Sequence, residues 1–144
     1  MEIFLWRKTK VAPIKTQITP WLELCAALLL CKLVSSLLSA FDFSEIPLHL
    51  WSDSEVTLAW IDSESHLWQI FVSHRVAEIQ SLYPTAIWYH VDGEINPSDL
   101  ATRDKSPKLF MFSHSWWHGP TFLSDNSDTT PVVVEKYSSE KCND

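Results

Sequence analysis

The chain has 144 residues, enough for one domain with a real core, and 46% of them are hydrophobic, with eight Trp, which excludes a disordered protein. Only two glycines occur, Gly93 and Gly119, so no Gly-rich phosphate loop exists, and P-loop and dinucleotide-binding functions are excluded. The formal charge of -7 leaves no gain from counterion release, which argues against electrostatic binding of nucleic acid by the whole surface; a metal-dependent nuclease can still be acidic.

Residues 3–6 are apolar and β-prone and the following stretch is basic, with Arg7, Lys8, Lys10 and Lys15. A strand is expected near 3–11, then a loop to Pro20. The lysines protect a strand edge or contact a phosphate backbone. Thr19 and Pro20 suit N-cap and N1 of a helix running to about Ala40. Glu23 lies one residue too late for a capping box. It shares a side of that helix with Ala26, Ala27 and Leu30. A carboxylate there needs a partner, a metal or a sheet edge, unless it only favours the positive helix end.

The 21–41 run is long enough to span a membrane. Glu23, Lys32 and three serines interrupt it, and its longest unbroken apolar piece, 24–31, is too short. A core helix is expected, with a membrane anchor as the alternative. No signal-peptide flanks are present. Cys25 and Cys31 read as buried thiols in that helix, and with Cys142 they form no C-x-x-C motif. The expected setting is reducing and intracellular, cytoplasmic or nuclear.

The apolar run 46–51 reads as a short buried strand. It stops at Ser52-Asp53-Ser54, where a helix begins with Val56, Ala59 and Trp60 on one face. Ser52 or Asp53 can cap it. Asp53 is then either a cap or a carboxylate at a strand end, where α/β folds place their chemistry. A second long helix is expected over 66–83, ended by Pro84. His74-Arg75 reads as a helix-surface pair. Residues 86–91 form a further strand with a turn at Asp92-Gly93-Glu94. Asn96 and Pro97 then open another helix as N-cap and N1, which puts Asp99 in its first turn. Trp116-Trp117-His118-Gly119-Pro120 suggests an aromatic cap over the domain. His114 and His118 are spaced as zinc ligands can be, but no second pair follows. The domain is expected over residues 1–123, and 124–144 reads as a flexible polar tail.

Strands alternating with helices favour an α/β layer fold. Glu23, Asp53 and Asp99 can converge at one sheet edge. Converging carboxylates repel, and divalent metal relieves them.

Six segments carry a resemblance. They are 10–15 (KVAPIK), 20–27 (PWLELCAA), 50–54 (LWSDS), 71–79 (FVSHRVAEI), 96–103 (NPSDLATR) and 116–120 (WWHGP). Together they resemble the RNase H region of the Pol polyprotein of BEL/Pao-type LTR retrotransposons. The resemblance implies an RNase H-like α/β fold, a mixed sheet flanked by helices, with its first strands missing here. It implies hydrolysis of the RNA strand of an RNA/DNA hybrid with two Mg²⁺ (or Mn²⁺) ions. Glu23, Asp53 and Asp99 would be catalytic residues and metal ligands. Lys8, Lys10, Lys15 and Arg103 would contact nucleic acid. Reverse transcriptase and integrase parts of the same polyprotein would be partners, with no membrane involved.

Two departures set expectations. The family's first aspartate, which bridges both ions, has no counterpart: Glu2 is the only acid before Glu23. Trp21 stands where a basic residue is expected. The chain is therefore expected to be an N-terminally truncated domain, inactive alone. The alternative is a domesticated, non-catalytic module that binds nucleic acid or protein.

Overall fold

A computed structural model describes residues 17–41, 47–101, 106–123 and 135–136. The expected strand near 3–11 and the basic residues Lys8, Lys10, Lys15 and Arg103 lie outside the described residues. Two compact units hold the rest, one around residues 17–90 and one around 91–123.

The first unit begins with α1, Thr19–Phe41. The carbonyl of Ile18 accepts the N–H groups of Trp21 and Leu22. The helix therefore starts one residue earlier than its Thr-Pro signal suggests. Pro20 still sits in the first turn, where a missing N–H costs nothing. Leu24, Ala27 and Cys31, spaced three and four apart, are the buried face. Leu28, Leu30 and Val34 flank them, half-buried. Of the described helices, α1 is long and apolar enough, by length and composition, to cross a membrane. The interruptions at Glu23 and Lys32 are too few to exclude that on composition. Its buried stripe packs against α3.

Strand β1, His49–Ser52, follows, then α2, Glu55–Asp62, a 3₁₀ turn at Ser65–Leu67, and α3, Ile70–Leu82. Strand β2, Ile87–His90, pairs parallel to β1 with Leu50 opposite Trp88 and Trp51 opposite Tyr89. Parallel strands need a crossover, and α2 with α3 supplies it. The strand period of two divides the sheet. Leu50 and Trp88 face the helices and join Val72, Val76 and Ile79 of α3 in the core. On the other face the rings of His49, Trp51 and Tyr89 lie together. Trp51 and Tyr89 stack at 5.3 Å, and His49 Nδ1 is 2.9 Å from the Tyr89 hydroxyl. Two residues of the polar C-terminal stretch, Glu135–Lys136, form β3 next to β2 in the sheet order.

The second unit holds the turn at 93–95, a 3₁₀ turn at Pro97–Ala101, α4 (Pro107–Phe112), α5 (His114–His118) and a 3₁₀ turn at Thr121–Leu123. Ser113 caps α5 by accepting the Trp116 N–H. Gly119 ends it at φ 84°, a region a β-carbon would obstruct. Within this unit the Trp116 ring meets Phe110 edge-on at 4.9 Å, and Trp117 Nε1 donates to the Phe110 carbonyl at 2.9 Å. α5 packs on the Pro97–Ala101 turn.

Candidate functional site

The junction of β1 and α2 is built from three consecutive small polar residues. Any of the three has the oxygen a helix cap needs, and the sequence favours Ser52 or Asp53. The structure uses Ser54. Its backbone is extended, at φ -97° and ψ 102°, and its hydroxyl accepts the Thr57 N–H at 3.2 Å. Ser52 Oγ accepts the Ser54 N–H at 3.2 Å and closes the turn. The capping role expected for Asp53 is thereby taken by its neighbour. Asp53 is exposed, and its carboxylate has no side-chain partner among the described residues.

Glu23 comes to the same turn from α1. The Ser54 hydroxyl donates to Glu23 Oε2 at 2.5 Å. Glu23 lies beyond the first turn of α1, where the helix dipole has faded. Its partner is this hydroxyl. Ala27, one turn on, is buried and Ala26 is exposed, so Glu23 stands at the border of the buried stripe. The fold thus brings Glu23 to the residue next to Asp53, from 31 positions away. In the sequence Ser54 closes the Ser-Asp-Ser stop, with no role of its own assigned to it. The signal for it is a half-buried glutamate in want of a donor, together with a cap triplet whose members cannot be told apart locally.

Asp99 lies in the other unit, on the Pro97–Ala101 turn. Asn96 Oδ1 accepts the Ser98 N–H at 3.1 Å, and the Asn96 carbonyl accepts the Asp99 N–H at 3.1 Å. Asn96 therefore opens this element as expected. Its described residues are 3₁₀ where an α-helix is expected.

Trp21 has a structural explanation. Its ring stacks on Phe71 at 4.4 Å with planes 19° apart. The Arg75 guanidinium lies 3.5 Å from the centre of the Phe71 ring. Arg75 also donates to the Phe71 carbonyl at 2.9 Å and to Cys25 Sγ at 3.3 Å. Where a basic residue is expected on α1, an aromatic ring instead joins α1 to α3, and the cation comes from α3. His114 and His118 lie with ring centres 4.6 Å apart. Among the described residues, no three or more His, Cys, Asp or Glu side chains are grouped to hold a metal ion.

Residues 2–54 match the model of the Pao retrotransposon-like RNaseH-like domain. That stretch includes Glu23, Asp53 and Ser54 and ends before Asp99. No curated protein and no solved structure matches the chain. The helix that carries Glu23, the strand that leads to Asp53 and the serine that joins them all lie within the matched stretch, which covers less than half of the chain and is similar to the Pao retrotransposon-like RNaseH-like domain.

Proposed function

We propose that the chain is a retrotransposon-derived RNase H-like domain, related to enzymes that hydrolyse the RNA strand of RNA/DNA hybrids, and that it does not cut on its own. The observation that carries this reading is the Glu23–Ser54 hydrogen bond beside Asp53, inside the family-matched stretch. It brings Glu23 to the residue that follows Asp53, between the end of a strand and the start of a helix.

Glu23, Asp53 and Asp99 are three of the four carboxylates that the family's two-ion centre uses. Two Mg²⁺ ions carry four positive charges, and the family's four carboxylates balance them. With three of them, the charge of the second ion is only partly balanced. Glu23 spends one oxygen on Ser54. Magnesium gives up water reluctantly and demands near-ideal octahedral geometry. Glu23 and Asp53 suit one weakly held, hydrated Mg²⁺ or Mn²⁺. One such ion supplies only one half of the clamp that a two-metal site places on the attacking and leaving oxygens.

The test is gel-resolved cleavage of an RNA/DNA hybrid by the purified chain in Mg²⁺ or Mn²⁺. No product is expected. Lengthening the N-terminus by an aspartate-bearing strand is expected to yield cleavage, and Asp53→Asn in that longer chain to abolish it. Metal-dependent cleavage by the unmodified chain, lost in Asp53→Asn, would overturn the inactivity and leave an enzyme. A folded, lengthened chain that still does not cut would replace this reading with a non-catalytic binding module.

A further inference from the structure

Ser54 uses one hydroxyl twice. Its oxygen accepts the Thr57 N–H at 3.2 Å, and its proton goes to Glu23 Oε2 at 2.5 Å. The residue is buried, with 6% of its surface exposed. An O–H donated to a carboxylate at this length is among the stronger hydrogen bonds a protein makes. It runs between elements, from the turn after β1 to α1, so it does more than a cap does.

Capping alone does not call for serine. Aspartate caps a helix as well as serine does, and Asp53 stands next door. An ionised aspartate, however, has no proton to give to Glu23. The serine hydroxyl accepts from α2 and donates to α1 through a single atom. The clamp engages Oε2 and leaves the other Glu23 oxygen, Oε1, without a hydrogen-bond partner among the described residues.

We propose that Ser54 is a positioning residue: its hydroxyl clamps α1 to the β1–α2 turn and fixes the direction of the Glu23 carboxylate, in addition to capping α2. The clamp itself depends only on geometry. Its value for holding a cation rests on the reading of Glu23 as a metal ligand.

Amide deuterium uptake, read by mass spectrometry at neutral pH, separates the two jobs. The peptides to follow cover residues 23–27 of α1 and 57–60 of α2. Ser54→Ala should speed exchange in both, by about fivefold or more, the equivalent of one lost hydrogen bond. Ser54→Thr should keep both slow. Ser54→Asp should protect α2 but leave α1 fast, because a carboxylate now faces a carboxylate. Protection of both regions in Ser54→Asp, or an α1 indifferent to Ser54→Ala, would overturn the clamp. Should Ser54→Ala fail to fold, thermal melts decide: Ser54→Asp should lower Tm in the native background and do so far less in Glu23→Gln, and equal losses in both backgrounds refute the proposal. Mn²⁺ titration by water-proton relaxation addresses the metal reading separately. Weaker Mn²⁺ binding in Ser54→Ala supports it; no Mn²⁺ binding by the native chain removes it and leaves the exchange pattern as the measure of the clamp.

Discussion

Cys31 lies one turn beyond Ala27 on the face of α1 that meets α3, and solvent does not reach it. Burial disfavours the thiolate and pushes the thiol from 9.0 up to about 11. The unfolded chain loses this proton near 9.0, and the folded chain keeps it until about 11. Between those values the unfolded state binds fewer protons, so stability falls as pH rises through the window. Below it the thiol contributes no slope. Urea midpoints at pH 8 and pH 10.5 check this, with Cys31→Ala as the reference. The native chain should lose more stability between the two pH values than the variant does. Equal losses would show that Cys31 is not the group responsible. Cys25 differs from it by position alone: it is half-exposed and accepts from Arg75. The expectation of two buried thiols therefore holds for Cys31 and only in part for Cys25.

At the scale of elements, α2 is informative because it is short. Eight residues do not make a stable helix in water. Its ends are secured by side chains. Ser54 caps the start, and Gln80 of α3 donates both N–H groups at the other end, to the Ile61 carbonyl at 2.9 Å and the Ser63 carbonyl at 2.8 Å. These are among the carbonyls a helix leaves without partners at its C-terminus. Gln80→Leu keeps most of the bulk and removes both donors. It should cost about 1–2 kcal/mol in urea unfolding, and a change below about 0.5 kcal/mol would mean water replaces the amide. The same elements show what the sequence makes legible. Apolar period and run length mark α1, β1, β2 and most of α3, and Pro84 marks the end of α3. The start of α3 is less legible: residues 66–69, expected as helix, include a 3₁₀ turn, and the α-helix begins at Ile70. Local pattern does not reach across the chain. The stacking of Trp21 on Phe71, the choice of Ser54 over Asp53 as cap and the two bonds of Gln80 all join residues set by tertiary packing. Glu23 is legible as a carboxylate needing a partner, and its partner is legible only in the fold.

For the molecule as a whole, the buried core cluster lies in the 17–90 unit, where α1, β1, α2, α3 and β2 all contribute. α1 runs about 34 Å at 1.5 Å per residue, and its cover comes from α3. Cys25 and its Arg75 partner are 50 positions apart in sequence. That separation has a consequence in time. Synthesis at about 5–20 residues per second puts roughly 3–10 s between the appearance of the two helices. During that interval a helix with the length and apolarity of a membrane span has been made and the surface that shields it has not. Chains stalled before residue 70 should therefore crosslink through α1 to ribosome-associated chaperones or targeting factors, and chains stalled after α3 has cleared the exit tunnel should not. Equal crosslinking at both lengths would mean that α3 is not what shelters α1. The order of the elements along the chain, more than the stability of the finished fold, then sets how long this protein depends on help from its surroundings.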